Sequence, residues 1–251
     1  MRLYGKNPVI ERLRANPSSI RKIFIEPGTK DAGTIYKKAH RYGISVISFP
    51  RAQMSKIGRN INTQGVFMDV VDFVYTPYDE LLEAAASKRR SLVFLDELTD
   101  PQNLGAIIRV LACFGQFALI LTTHHCVGVT EAVLRVASGG DNYVPTALVG
   151  NLNKAIREAK DSGFTIAASC LKEGESLYET ILPQKLGLVI GSEHQGIRPV
   201  MFKHVDLKLT IPMAVPTMSF NVAHAVAIFG AEIIRQKGSI KIIKNLDRIT
   251  G

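Results

Sequence analysis

One stretch of the chain, residues 187–236, most constrains how the chain can fold. The apolar run at 188–190 is typical of a buried strand, and Gly191 ends it at once. A second strand is predicted at 207–211 and stops at Pro212, after which apolar residues recur at helical spacing. Parallel α/β sheets bind ligands where their strands end in loops beside the start of a helix. We therefore expect a small-molecule site here.

Strands and helices also alternate in the residues before this stretch. Strands are predicted at 92–95, 117–121 and 164–169, with helices between them. One of these helices covers 152–161 and is closed by Gly163. The pattern predicts an α/β fold with a parallel sheet of about five or six strands, an ordinary number for such a domain.

The beginning of the chain has a pattern of its own. A helix is predicted at 5–16, a polar helix near 31–41, and strands at 22–26, 44–49 and 65–73. This order of elements predicts a small three-layer α/β unit.

The chain is therefore interpreted as two domains joined by a linker. The first domain covers residues 1–75 and the second covers 91–251. Residues 76–90 are interpreted as the linker, because they begin with Thr-Pro, contain one amphipathic helix at 79–86 and end in a basic run.

Positive charge is concentrated in the first domain. Residues 1–75 contain 13 Lys and Arg against 5 Asp and Glu, whereas residues 91–251 contain 15 against 14. A basic module of this kind is typical of proteins that bind a polyanion such as RNA, because each neutralised phosphate releases condensed counterions. A basic surface that only keeps the protein soluble is the alternative.

The cysteine and histidine pattern does not favour a metal site or a disulfide framework. Cys113, Cys126 and Cys170 lie far apart, with no C-x-x-C pair. His124 and His125 precede Cys126, but adjacent side chains on a strand point to opposite faces and no second ligand cluster follows. We expect reduced thiols and no metal ion.

The apolar runs are short and interrupted, and the first residues have no apolar segment of a signal peptide. We therefore expect a soluble cytoplasmic protein with no membrane partner.

Three motifs of the second domain carry a resemblance to a known family. In chain order they are Asn103-x-Gly105-x-x-x-Arg109, then Gly191-Ser192-Glu193-x-x-Gly196, then Ile211-Pro212-Met213 with Ser219-Phe220-Asn221-Val222. Together they resemble the SpoU (TrmH) family of RNA 2'-O-ribose methyltransferases, of the SPOUT class. Two positions depart from the family: Ala214 stands where glycine is usual, and Phe220 where leucine is usual.

The first domain resembles the substrate-binding domain of the two-domain members, which is like the ribosomal protein L30e and L7Ae fold. The matching segments are Tyr4-Gly5-x-Asn7-Pro8-Val9 and Gln64-Gly65-Val66. For the second domain the resemblance implies a SPOUT domain with a trefoil knot and a homodimer. General topology rules argue against knots, so the knot rests on the resemblance alone.

The resemblance also implies a function and a set of site residues. The implied reaction transfers a methyl group from S-adenosylmethionine to a ribose 2'-hydroxyl without a metal ion. The residues implied in catalysis are Asn103, Arg109, Glu193, Ser219 and Asn221. Those implied in binding S-adenosylmethionine are Gly191, Ser192, Ile211, Met213, Ser219, Phe220 and Asn221.

The role of each polar residue has alternatives. Arg109 is expected to position the nucleotide and stabilise the developing alkoxide, because a guanidinium stays protonated and makes a poor base. A base function for Arg109 stays open. Glu193 either holds Arg109, accepts backbone hydrogen bonds or braces its loop. Ser219 or Asn221 is expected to cap the last helix while facing the ligand.

Two other readings of function compete with the methyltransferase. A non-catalytic RNA-binding protein has no need of all four polar motif residues, which are Arg109, Glu193, Ser219 and Asn221. A small-molecule methyltransferase leaves the basic domain without a role. Among RNA targets we favour ribosomal RNA over transfer RNA, because related compact enzymes that modify transfer RNA lack the basic first domain.

Overall fold

The protein is described by a computed structural model that covers residues 1–57, 62–192, 196–215 and 217–238. Its strands form two sheets, one of four strands in the first part of the chain and one of seven in the second. The α/β fold predicted from the sequence is thereby confirmed. Within the described residues, no helix is long and apolar enough to cross a membrane.

The first sheet has the strand order β1-β4-β2-β3 and mixes antiparallel and parallel pairs. Its strands are β1 (Arg2–Tyr4), β2 (Ile20–Ile25), β3 (Val46–Ser48) and β4 (Val66–Val70). Its helices are α1 (Lys6–Ala15), α2 (Ala32–Arg41) and α3 (Arg51–Ile57). Strand β1 was not predicted, because three residues are too few to show a period.

Alternation along β2 divides its side chains between two apolar clusters. Ile23 and Ile25 are buried in the main core with residues of α1 and α2. Phe24 points to the other face, where its ring stacks on Phe67 at 4.5 Å between centroids, in a cluster that includes Met54 of α3. Successive side chains of a strand face opposite ways, so this sheet carries helices on both faces.

The second sheet is parallel throughout, with the order β7-β6-β5-β10-β8-β11-β9. Its strands are β5 (Ser91–Leu95), β6 (Phe117–Thr122), β7 (Thr146–Val149), β8 (Thr165–Cys170), β9 (Glu175–Ser176), β10 (Leu186–Ile190) and β11 (Leu207–Thr210). Its helices are α4 (Tyr78–Ser87), α5 (Pro101–Phe114), α6 (Glu131–Ala137), α7 (Leu152–Asp161) and α8 (Val222–Lys237). The trefoil knot stays a prediction.

The prediction of about five or six strands was wrong for this sheet, which has seven. The two strands β7 and β9 lie at opposite edges and contain four and two residues. Strands this short show too little periodicity to be recognised. Helix α6 was also missed, for the same reason.

Helix α4 lies in the stretch interpreted as a linker, yet it packs on the second sheet. Leu81, Leu82 and Ala85 are buried in the apolar cluster that contains Ala118 of β6 and Ala147 of β7. The helix is therefore held by burial of its apolar face. The exact domain boundaries stay a prediction.

The glycine of the first motif permits close packing of two helices. A Cβ atom at Gly105 of α5 would lie 2.5 Å from Val136 Cβ and 2.7 Å from the Val133 carbonyl oxygen of α6. Real Cβ atoms do not approach other atoms so closely, so any larger side chain would push α6 away from α5.

We predict that Gly105→Ala lowers the free energy of unfolding by about 1–3 kcal/mol, as overpacking of a core does. The measurement is urea unfolding followed by circular dichroism. Gly33→Ala in α2 is the matched control, because nothing lies within 4 Å of the added Cβ. There the better helix propensity of alanine should leave stability equal or slightly raised. Equal effects of the two substitutions would contradict the packing argument.

Candidate functional site

A cavity near the motifs of the second domain lies where β8, β10 and β11 end and α8 begins, and we name it the strand-end cavity. Its volume is about 450 Å³. It is lined by Ser169, Cys170, Leu171, Ile190, Gly191, Ser192, Gly196, Ile211, Met213, Ser219, Phe220, Asn221, Val222 and Ala225. All seven residues predicted to bind the methyl donor are among them. The structure thus brings together three segments that are far apart in sequence, although their binding roles stay predictions.

The loop after β10 is closed by backbone hydrogen bonds, and its two glycines permit the close approach. The Ser192 N–H donates to the Gly196 carbonyl at 3.1 Å, and the Gly196 N–H donates to the Ser192 carbonyl at 3.0 Å. A Cβ at Gly191 would lie 2.1 Å from the Gly196 carbonyl carbon, so a side chain there would open the loop. Gly196 itself has φ +67°, a conformation that favours glycine. Glu193 lies outside the described residues.

A buried carboxylate that the sequence analysis did not single out anchors the far end of this loop. Asp96 follows β5 and is only 1% exposed. It accepts the Arg198 backbone N–H at 3.0 Å and two guanidinium hydrogen bonds at 2.9 and 2.6 Å. These hydrogen bonds raise the pKa of Arg198 above its usual value. Asp96 thus ties the motif loop to the end of the neighbouring strand.

Asn221 joins the start of α8 to the start of α5. Its Oδ1 accepts the Ala223 N–H at 2.9 Å, so Asn221 is the helix cap and the alternative of Ser219 is not realised. Its Nδ2 donates to the Asn103 Oδ1 at 2.9 Å, and Asn103 is 7% exposed. Ser219 lies on the cavity wall. Asn103 therefore supports the cavity through Asn221 instead of lining it.

The rim of the strand-end cavity is apolar. Phe220 is 43% exposed, and Leu171, which also lines the cavity, is exposed too. Burial raises the pKa of the Cys170 thiol, which keeps the thiol neutral on the cavity wall. The wall segment Ser169 to Leu171 was missed in the sequence. Its position at the carboxyl end of a predicted parallel strand was the signal that could have found it.

Arg109 lies away from the strand-end cavity. It lies six positions after Asn103 on α5, which is about 9 Å along the helix axis and about 240° around it. Its side chain is exposed and lines a second cavity of about 330 Å³, which we name the Arg109 cavity, together with Asn7, Ile10 and Glu11 of α1. Within one chain, Arg109 therefore lines a different cavity from Ser219 and Asn221.

The histidines after β6 do not form part of either cavity. His124 and His125 are exposed, and burial raises the pKa of the Cys126 thiol. No cluster of three or more metal-ligating side chains occurs among the described residues. That the protein works without a metal stays a prediction.

The strand-end cavity has the chemistry of a site for a nucleoside-like ligand. Its walls are apolar side chains and glycine backbone, with hydroxyl and amide groups at few positions. Such a mixture is typical of cofactor sites, in which apolar walls bind a ring and a few polar groups fix its orientation.

Fold and site together define a two-unit α/β protein with a cofactor cavity at the ends of parallel strands. The profile of the SpoU rRNA methylase family matches residues 90–231, and that of the RNA 2'-O ribose methyltransferase substrate-binding domain matches residues 2–76. The chain therefore belongs to the SpoU rRNA methylase family. An uncharacterized tRNA/rRNA methyltransferase of Synechocystis is 34% identical over 241 residues. The match covers 94% of this chain and 62% of that relative.

Solved structures share the fold. The SpoU methyltransferase AviRb of Streptomyces viridochromogenes, solved with AdoMet, has a TM-score of 0.78 at 20% identity, covering 94% of this chain and 90% of that one. An AdoMet-bound rRNA methyltransferase of Sinorhizobium meliloti has a TM-score of 0.77 at 24% identity, covering 93% and 86%. Because each match covers more than nine tenths of this chain, both of its units share the fold of these two structures.

We predict that Asn221→Ala lowers the free energy of unfolding by about 0.5–2 kcal/mol, the range for loss of a helix cap. Asn221→Asp should retain most of that stability, because a carboxylate still accepts the Ala223 N–H. Urea unfolding of the two variants is the measurement. An equal loss in both would show that the amide contact with Asn103, and not the cap, carries the stability.

Proposed function

We propose that the protein transfers a methyl group from S-adenosylmethionine to a ribose 2'-hydroxyl of RNA. The observation that carries the proposal is the strand-end cavity, which collects every residue predicted to bind the methyl donor. Membership of the family and the AdoMet in two structures of the same fold support it. The match of residues 2–76 to a ribose methyltransferase substrate-binding domain supports the ribose oxygen as acceptor.

The residues of the strand-end cavity bind and orient the methyl donor. S-adenosylmethionine, when bound, supplies a methyl group that its sulfonium already activates. The paired backbone at Ser192 and Gly196 and the backbone near Ile211 would hold it, with the ring against apolar walls. Asn221 keeps the start of α8 in place on the opposite wall. The site therefore contributes orientation more than acid–base chemistry.

Arg109 would act on the acceptor. A guanidinium donates hydrogen bonds and accepts none, so Arg109 is suited to hold the ribose or phosphate oxygens and to stabilise charge that develops on the 2'-oxygen. Its exposed position in a second cavity leaves it accessible to a bound nucleotide.

We further propose a homodimer in which Arg109 acts at the strand-end cavity of the partner subunit. In its own chain, Arg109 does not line the strand-end cavity that is proposed to bind the methyl donor. A complete site therefore needs either a large rearrangement or a second chain. Oligomers with two-fold symmetry place the same surface of each chain against the other and would form two such sites.

The target we favour is ribosomal RNA, bound in part by the basic first unit. The charge difference between the two units supports RNA as the partner. The similarity of nearly the whole chain to the Sinorhizobium meliloti rRNA methyltransferase supports ribosomal over transfer RNA. A cytoplasmic location is proposed on the same ground, since the substrate is found there.

We predict that Arg109→Ala abolishes methylation while the affinity for S-adenosylmethionine is unchanged, because the arginine lies outside the strand-end cavity. Arg109→Lys should restore little activity, because an ammonium does not reproduce the planar guanidinium. Methyl transfer to ribosomal RNA transcripts and calorimetry are the measurements. Wild-type turnover in Arg109→Ala would refute its assignment.

Combining Arg109→Ala with Gly191→Val on separate chains tests whether the site is shared between two subunits. Valine at 191 would open the closed loop and empty the strand-end cavity of its ligand. Mixed dimers retain one complete site if Arg109 works across the interface, so co-expression should restore about a quarter of the activity. No restoration is expected if each chain acts alone.

We predict that Lys22→Gln with Lys37→Gln weakens RNA binding and lowers the dependence of affinity on salt. Both side chains are exposed on the first unit. Each lost phosphate contact should reduce the slope of log affinity against log salt by about 1. The control is Lys154→Gln with Lys172→Gln on the second unit, where both lysines are also exposed. Equal slopes for the two pairs would contradict binding through the first unit.

A further inference from the structure

Helix α1 of the first unit lies directly against the second unit. The Arg12 guanidinium forms an ion pair with Asp141, and the two side chains are 8% and 2% exposed. The Tyr143 hydroxyl donates to the Glu11 carboxylate at 3.0 Å. Because these partners are about 130 residues apart in sequence, the contacts fix α1 relative to the second sheet. One wall of the Arg109 cavity is therefore supplied by the first unit.

A tight turn sets the spacing between Glu11 and Arg109. Gly139 has φ +94°, and a Cβ there would lie 2.5 Å from the Glu11 Cβ. A Cβ at Gly140 would lie 3.1 Å from the Arg109 Cα. Gly139 of the turn therefore packs against Glu11, and Gly140 packs against Arg109. Glu11 and Arg109 belong to different units but are held on two sides of one rigid turn.

We propose that the Arg109 cavity binds the nucleoside that is methylated, and that Glu11 and Asn7 of α1 recognise its base. This inference rests on the proposed function. The cavity volume of about 330 Å³ is at the lower end of the range for ligand sites, about 300–1,000 Å³, so it suits one nucleoside and not a longer segment. Its polar groups also differ in kind. Glu11 accepts, Arg109 donates and Asn7 does both.

The Glu11 carboxylate sets the chemistry of the base. Two groups of the protein face it, the Tyr143 hydroxyl and the Arg14 guanidinium at 3.5 Å, and together they do not occupy all the acceptor positions of two oxygens. A carboxylate selects N–H groups, such as the amino group of cytosine. Guanine, adenine and cytosine present an exocyclic amino group, whereas the single ring N–H of uracil lies between two carbonyls that a carboxylate repels. The site therefore takes a base with an amino group.

The first test is Glu11→Gln, which removes the charge and keeps the shape. The expected result is at least a tenfold loss of kcat/KM for ribosomal RNA transcripts, through a higher KM, with the affinity for S-adenosylmethionine and the melting temperature unchanged. Glu158→Gln is the matched control, since Glu158 is a partly exposed carboxylate of α7 whose ion pair among the described residues is with Lys154 at 3.5 Å. Wild-type kcat/KM in Glu11→Gln overturns the proposal, as does mapping of the methyl group to a uridine.

The second test uses the unaltered protein, so it does not depend on the folding of a variant. Cys113 is exposed and lines the Arg109 cavity, whereas Cys170 lines the strand-end cavity. Alkylation by iodoacetamide is followed for each thiol by mass spectrometry. Ribosomal RNA transcripts should slow alkylation of Cys113 at least fivefold, and S-adenosylmethionine should protect Cys170. A Cys113 rate that RNA leaves unchanged, or a Cys113 that is unreactive in the free protein, overturns the proposal.

The two proposals fail in different ways. If the protein neither binds S-adenosylmethionine nor methylates RNA, the proposed function is wrong and this inference falls with it. If methylation occurs but Glu11→Gln keeps wild-type kcat/KM, or RNA leaves the Cys113 rate unchanged, only the nucleoside site is wrong.

Discussion

The position of β10 between β5 and β8 is the constraint on which the site depends. The strand pairs in parallel with both neighbours, which are distant in the sequence. Gly187 makes the fit possible, because a Cβ there would lie 2.8 Å from Ile166 Cδ1 and 3.0 Å from the Phe94 ring. Since parallel strands end at the same edge of the sheet, this pairing brings the loop after β10 beside the ends of β5 and β8.

Three sets of hydrogen bonds then shape the strand-end cavity. Asp96 at the end of β5 holds the far side of the β10 loop through Arg198, and the paired backbone of Ser192 and Gly196 closes its near side. Asn221 caps α8 on the opposite wall. These hydrogen bonds are shielded or partly shielded from water, so the shape of the cavity is set before a ligand enters. For the proposed methyl transfer, such a preformed site would act by orienting the activated methyl group.

Contacts around the Arg109 cavity hold the two units together. The buried ion pair of Arg12 and Asp141 joins them, and loss of either partner would leave an unpaired charge in the interior. The same contact sets α1 beside Arg109. RNA bound on the basic first unit would therefore be presented to the arginine at a fixed distance, so substrate binding and chemistry share one rigid support.

Local sequence signals were sufficient for much of the fold. Helix α7 was predicted with the bounds it has, and Asn221 was one of two predicted caps for α8, because spacing and capping act within a few residues. The motif residues of the strand-end cavity were found by resemblance to a family, and the structure shows that they lie together. The short strands β7 and β9 were not found, because two to four residues carry no period.

What the sequence determined by itself was most of the longer elements, the uneven charge and the list of candidate residues. Only the tertiary structure decided that Arg109 lies apart from the strand-end cavity and that Glu11 lines the same cavity as Arg109. It also decided that Asp96 anchors a loop about 100 residues away. The physical reason is that these contacts depend on how helices turn and pack against distant strands. A pattern along the chain reports which face of a helix is apolar, but not which neighbour that face or its opposite will meet.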